Sequence, residues 1–418
     1  MECIADLHVH SKYAMACSEQ LTIGNIAESA REKGLGLVST GDFTHPRHMS
    51  EIKKTLEEHG PGIYKIKGSS KSTQFVIGTE VCTVFEDRLG RSRRIHHCIL
   101  APSIEAAEQA NEHLSRFGDL SSDGRPLLNK ISPAQLVEDL IGIDPEMFIF
   151  PAHLWTPWFG ALGEHSGFNS IEEAYEDQAM HIYAYETGLS SDPPMNWRLS
   201  KLDRYTPISG SDAHSLPKMG REAVIFDIED KAGFADITGR IKKKEMKLTI
   251  EFYPEEGKYH FDGHRNCSVS LSPDKSKKFG NRCPKCGKKL TIGVMHRIDD
   301  LADREAGFIP SGAVPYVHAI PLQEVIAYVT GKATYSAQVK NTYSRIIQKF
   351  GTEFDVLMKA DPDSIAEVDK KLAEGIRRIR EDKAHVIPGY DGIFGIIDIF
   401  NEVKQEKSEG MQKRITEF

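Results

Sequence analysis

Apolar and polar positions alternate from the start of the chain, and ADLHVHS at residues 5–11 reads as a β-strand that carries Asp6, His8 and His10 on one face. Five more strand-like apolar runs follow, each with a His or a carboxylate at or near its end. VSTGDFTHP carries Asp42 and His45, FVIGTEV carries Glu80, RRIHHCILAP carries His96 and His97, MFIFPAH carries His153, and YTPISGSDAH carries Asp212 and His214. Such residues at C-terminal strand ends are what a (β/α) barrel gathers at one mouth. Beyond about residue 293 the period changes. Segments 322–329, 336–350 and 364–380 read as amphipathic helices, punctuated by Pro310, Pro315, Pro321, Pro362 and Pro388. The run from Asp361 to Ser364 predicts a helix start, with Ser364 and Glu367 as its capping box. Segment 387–395, IPGYDGIFG, is too rich in glycine for a helix and predicts a turn that either approaches a ligand or closes the domain.

The chain of 418 residues, 39% hydrophobic and 27% charged, has room for two or three domains of ordinary globular composition. No signal peptide, transit segment or long apolar run is seen, which predicts a cytoplasmic, non-membrane protein. Seven cysteines, four scattered and three clustered, argue for free thiols plus a metal site rather than a disulfide framework. The formal net charge of −8 speaks against nucleic acid. The basic residues cluster, however, at Arg91, Arg93 and Arg94, at 242–244, at Lys275, Lys277 and Lys278, and at Arg377, Arg378 and Arg380, so a local groove that tracks phosphates stays open.

The scattered His, Asp and Glu have the chemistry of a divalent-cation site. Imidazoles and carboxylates suit Zn²⁺, Mn²⁺ or Fe²⁺, and a carboxylate such as Glu80 can bridge two cations that serve phosphoryl transfer. The ordered motifs DLHVHS, TGD, GTE, IHHCIL, PAH and GSDAH resemble the PHP (polymerase and histidinol phosphatase) superfamily of metal-dependent phosphoesterases over about the first 220 residues. That resemblance implies a distorted (β/α)7 barrel, one metal at His8, His10, Glu80 and Asp212, and a second at Glu80, His96 and His153. For the superfamily's third metal, 11–16 offers neither acid nor His and TGDFTH departs from the usual T-D-H, which leaves Asp42, His45 and His214. His96 is preferred to His97, since it shares a strand face with Cys98 and Leu100 and holds the superfamily's ligand position.

A second metal candidate lies in residues 264–293. Cys283-Pro-Lys-Cys286 followed by Gly287 is a zinc knuckle, and His264 with Cys267 completes four ligands for a closed structural Zn²⁺ site, with His260 as the nearby alternative to His264.

The barrel, the HRNC…CPKCGKKLTIGV module and a helical segment ending in IPGYDGIFG together resemble the endonuclease Q family of repair nucleases. The likeness extends to TGDFTHP, to HLWTPWFG at 153–160 and to ETGLSSDPPMNW at 186–197. It implies a PHP barrel over 1–250, a zinc-binding module over 251–296 and a helical DNA-binding domain over 297–405. It also implies divalent cations (Mg²⁺, Mn²⁺ or Zn²⁺) and incision 5′ of a deaminated base or an abasic site, leaving a 3′-hydroxyl and a 5′-phosphate. Catalysis would rest on His8, His10, Glu80, His96, His153, Asp212 and His214. Tyr13, Trp155, Trp158, Phe159 and Trp197 are the aromatic candidates for a pocket around an extruded base, with core packing as their alternative. In the tail, 406–418, Gln412, Ile415 and Phe418 have the spacing of a sliding-clamp box. Two other classes stay in view: a small-molecule phosphatase, which gives the zinc module and helices no task, and a non-catalytic DNA-binding scaffold.

Overall fold

The computed structural model describes residues 1–69 and 73–400; the clamp-box residues Gln412, Ile415 and Phe418 lie outside them. Seven strands form a distorted ring: Glu2–Asp6, Leu37–Ser39, Gln74–Glu86, Ser92–Ala101, Phe148–Pro151, Ala184–Glu186 and Thr206–Ile208. Two seams close just past the strand ends. Leu154 N–H donates to Glu186 O at 3.0 Å, and Asp212 N–H donates to His8 O at 2.8 Å beside a bridge between Val9 and Ala213. This is the distorted (β/α)7 barrel that the motif order implies. From Glu2–Asp6 the sheet also runs outward through Ala223–Asp227, Leu248–Glu251 and Tyr316–His318, so residues 316–318 of the third expected domain are built into the barrel sheet.

One strand departs from the barrel rule. Ser92–Ala101 is antiparallel to both neighbours, so its N-terminal half lies at the mouth where the other strands have their C-terminal ends. His96 reaches the site for that reason, and not because it follows a strand.

The covering helices are set by their caps. Thr22 accepts from Asn25 N–H to start Ile23–Lys33, and Ser103 and Ser132 do the same for Ile104–Leu114 and Pro133–Ile143. Each turns a small apolar face onto the ring, as with Ile23, Ile26, Ala27 and Ala30. At about 1.5–3 kcal/mol for each large side chain buried, this packing holds the ring in shape.

The later helices are Leu322–Thr330, Ala337–Phe350, Pro362–Ala366 and Lys370–Arg380. The expected single helix over 364–380 is two, because Asp361 and not Ser364 caps the first and Asp369 caps a second. Arg380, expected in a surface basic cluster, is buried and donates to the carbonyls of Leu357, Val356 and Ala360. Arg93 is likewise buried, against Asp87 and Ser166 O. Among the described residues no helix is long and apolar enough to cross a membrane.

Candidate metal centre

Glu80, 1% exposed near the middle of its strand, is where the candidate ligands meet. One oxygen lies 2.6 Å from His96 Nδ1 and 3.0 Å from His153 Nε2; the other lies 3.3 Å from His10 Nε2 and 3.7 Å from His8 Nε2. Asp212 Oδ1 is 3.0 Å from His10 Nε2 and 3.8 Å from His8 Nε2. Two sets of ligand atoms thus converge, His8/His10/Glu80/Asp212 and Glu80/His96/His153, each within 4.8 Å, and they share Glu80. Burial alone would raise the Glu80 carboxyl. The His96 imidazole beside it and the contacts from His10 and His153 instead hold it well below the usual carboxylate range, so it stays an anion. Burial pushes the His96 imidazole down to about 4, which keeps it neutral and free to donate a lone pair.

The histidines are aimed by a second layer that the sequence did not announce. His8 Nδ1–H donates to Glu186 Oε1 at 2.9 Å, and His10 Nδ1–H donates to Asp42 Oδ1 at 2.9 Å. Each pair fixes the tautomer and leaves Nε2 turned toward Glu80, the carboxylate–histidine arrangement that supports metal ligands. Glu186 also accepts from His153 N–H at 2.7 Å. Buried His8 Nε2 has no hydrogen-bond partner, as expected of a ligand atom kept for a cation. Donor types, burial and this unpaired nitrogen fit two divalent cations.

Backbone strain collects at the same place. Asp42, His153 and Asp212 have φ of +45°, +29° and +47°, a region that non-glycine residues rarely occupy. Gly210 lacks the Cβ that would stand 2.4 Å from Glu186 Oε1 and 2.7 Å from His8 Cβ, so only glycine admits this carboxylate behind the ring. Glu186 ends a strand exactly as Glu80-type candidates were expected to, and that position was its one legible signal. Arg125, whose Nη1 is 3.3 Å from Glu80 Oε2, had none.

The residues left for a third metal do not assemble. Asp42 is spent on His10 and on Ser11, whose N–H and Oγ–H lie 2.6 and 2.7 Å from its Oδ2. His45 stacks on Tyr13 at 4.3 Å. His214 donates from Nδ1 to Asp212 O at 2.9 Å and packs edge-on against His10. His97, on the opposite face of its strand, is bonded to Tyr175 OH and Thr83 Oγ1 and serves packing.

A solved structure, the lesion-specific endonuclease PfuEndoQ from Pyrococcus furiosus, is 31% identical and superposes with a TM-score of 0.84 over 97% of this chain and 98% of that one. The chain belongs to the endonuclease Q family. A second endonuclease Q structure, a complex with a 27-mer duplex bearing an abasic lesion at the active site, is 31% identical with a TM-score of 0.83, over 97% of this chain and 100% of that one. Residues 321–383 match the family model "MJ0043 C-terminal domain". The uncharacterized protein MJ0043 of Methanocaldococcus jannaschii is 31% identical over 268 residues, covering 63% of this chain; the match spans only 33% of that longer protein. The uncharacterized protein YqxK of Bacillus subtilis is 28% identical over 412 residues, covering 94% of this chain and 98% of YqxK.

In this chain the four cysteine-cluster ligands come together. Ligand atoms of His264, Cys267, Cys283 and Cys286 lie within 4.8 Å of one another, with Cys286 Sγ 3.4 Å from His264 Nδ1. His260 is buried apart from them, tilted against Phe261. Burial raises the Cys283 thiol, but the backbone N–H groups of Cys286 and Lys285 outweigh it and bring it down to about 6, the knuckle's way of favouring a thiolate. One imidazole and three thiols in this arrangement are compatible with a zinc module.

Two of the five aromatic candidates are core residues and cannot receive a base. Trp155 is 1% exposed with Nε1–H donating to Asn196 Oδ1 at 2.7 Å, and Trp197 is buried edge-on against Tyr316. For these two, core packing, the alternative given for the aromatic candidates, is what the structure shows. Phe159 stacks on His96 at 4.4 Å, Trp158 is 42% exposed, and half-buried Tyr13 donates its OH to Glu51.

Proposed function

We propose that this protein is a metal-dependent, lesion-specific DNA endonuclease that hydrolyses the phosphodiester bond 5′ of a deaminated base or an abasic site, leaving a 3′-hydroxyl and a 5′-phosphate. The observation that carries the reading is the pair of ligand sets sharing one buried carboxylate, on a chain whose fold follows endonuclease Q over 97% of its length. Damaged DNA is the proposed partner, supported by the abasic duplex held by the second endonuclease Q structure. Divalent cations held at these sets would activate water and offset charge on the transferring phosphoryl group.

The chain's own residues prepare that chemistry. His8, His10, Glu80 and Asp212 would hold one cation, with Glu80, His96 and His153 holding the other. Glu186 and Asp42 keep the two leading imidazoles in register, so little reorganisation is needed when charge develops. Arg125, beside Glu80 and partly exposed, is placed to donate to a non-bridging phosphate oxygen. Arg125→Ala should lower kcat by about 100-fold with a smaller change in KM, and Arg125→Lys should recover part of it.

The deciding assay incubates end-labelled DNA carrying one deoxyuridine, deoxyinosine or abasic site with the protein and Mg²⁺ or Mn²⁺, beside undamaged DNA and an Asp212→Ala control. A single metal-dependent cut 5′ of the lesion, absent in the variant, supports the reading. Intact DNA, with phosphate released from a small phosphomonoester, would replace it by a phosphatase.

A further inference from the structure

The glycine-rich segment 387–395 takes no part in the metal centre. It forms the tip of a hairpin whose strands, His385–Ile387 and Ile396–Asp398, pair with Ile387 opposite Ile396. The tip is held firmly to residues 255–261. Gly389, Gly392 and Gly395 N–H donate to the carbonyls of Glu255, Lys258 and Glu256 at 2.8–2.9 Å, and Phe261 N–H donates to Gly389 O at 2.9 Å. Asp391 ties it to the zinc module, accepting from Thr291 Oγ–H at 2.6 Å and from Arg265 N–H at 2.7 Å. At Gly389 a Cβ would stand 2.5 Å from Gly257 O, so the close approach needs glycine.

This rigid turn exposes its apolar side chains instead of burying them. Phe394 is 64% exposed, Ile396 59%, Ile387 49% and Ile393 40%. A contiguous exposed apolar patch on a fixed support marks a binding surface. Its neighbours say what binds. The Lys258 ammonium lies 5.7 Å from the Phe394 ring and 5.7 Å from Tyr259, and Tyr259 meets Trp158 edge-on at 5.0 Å. Trp158 precedes Phe159, which stacks on the metal-centre residue His96. Lys258 thus joins the Trp158–Tyr259 ring pair to the apolar tip, and Lys258 and Arg265 are both exposed. Apolar tips flanked by cations match a base stack flanked by phosphates.

We propose that Ile393 and Phe394 form a wedge that enters the base stack of duplex DNA beside an extruded nucleotide, with Lys258 and Arg265 meeting the adjacent phosphates. The proposal rests on the endonuclease reading. It adds the residues that hold the duplex open, a task that only paired DNA imposes.

The test compares the full-length protein with Ile393→Ala/Phe394→Ala and with Phe394→Leu, each with Mn²⁺, on one lesion presented in duplex and in single-stranded DNA. The double variant should lose about tenfold or more in single-turnover rate on the duplex and less than about twofold on the single strand, with Phe394→Leu near wild type. In parallel, 2-aminopurine next to the lesion in the duplex should brighten on binding wild type and not on binding the double variant. Equal rates on both substrates, or equal losses on both, would overturn the wedge. Should the wild type cut neither DNA, the endonuclease reading falls and the fluorescence decides the wedge separately: brightening lost in the double variant upholds it, and no brightening ends it. Since the replaced side chains are exposed, the variants should fold normally, which circular dichroism checks.

Discussion

Glu186 shows how far a single side chain acts through its neighbours. It touches His8 Nδ1 and His153 N–H but belongs to neither set that meets at Glu80. Glu186→Gln keeps the shape and removes the charge that orients His8. Metal affinity, followed by isothermal titration with Mn²⁺, should fall about 10- to 100-fold, with activity restored at higher metal concentration. Loss of activity that no metal concentration restores would instead place Glu186 at the reacting atoms. Trp155 makes the opposite case, a ring near the site in sequence but part of the core. Trp155→Ala should cost about 3–5 kcal/mol in urea unfolding, far more than an exposed aromatic would. The strand expected over 5–11 ends at Asp6, yet His8 and His10 could still be read from the sequence, because the chain runs on past the strand through the bridge at Val9 and the two-residue spacing keeps both rings together. Glu186 and Arg125 lie 178 and 45 positions from the residues they touch, distances over which no local pattern extends.

Among elements, the strand Ser92–Ala101 and the knuckle at 283–286 differ in what made them legible. The strand was visible as an apolar run, but its direction was not, since direction is set by pairing with Gln74–Glu86 and Phe148–Pro151. In the knuckle the Cys283–Cys286 spacing and the following Gly287, at φ +73°, are local properties and so could be read from the chain. Only a small apolar cluster of Val269, Cys283 and Leu290 lies beneath it, too little to stand alone. Chelation of zinc, or Cys283→Ser, should therefore open this module selectively: hydrogen exchange should speed up over 262–292 while the ring strands stay protected. Uniform exchange across the chain would show that the module is not a separate unit of stability. The two helices at 362–380 teach the same lesson, because the break between them follows from which acid caps, a choice settled by backbone geometry at Asp361 and Asp369.

Across the whole molecule, the barrel and the later helices are joined by buried charge. Lys33 of the first helix pairs with Glu353 at 2.9 Å, and Glu353 also accepts from Leu322 N–H and Tyr343 OH. At the outward sheet, buried Glu251 accepts from Thr187 and Ser209 of the ring side. Burial, with Asp192 adding to it, raises the Glu251 carboxyl from 4.5 to about 7 against the hydrogen bond from Thr187. The folded protein therefore holds a proton there that the unfolded chain has released. The stability this contributes is full below pH 4.5 and is lost as pH rises to about 7 and beyond. Glu251→Gln should flatten that decline, so that its thermal midpoint relative to wild type is higher at pH 8 than at pH 5. A difference independent of pH would show that Glu251 does not titrate in this window.

The positions of apolar runs, the spacing of the two histidines that follow the opening strand and the spacing within each half of the cysteine cluster are local properties of the chain. That is why the barrel and the candidate ligands could be named from the chain alone. Strand direction, the carboxylates behind the histidines, Arg125, the dispersal of the third-metal candidates and the exposed hairpin tip depend on residues brought together from 30 to more than 170 positions apart. Packing chooses among the local possibilities by excluding water and filling space, and only the folded molecule settles that choice.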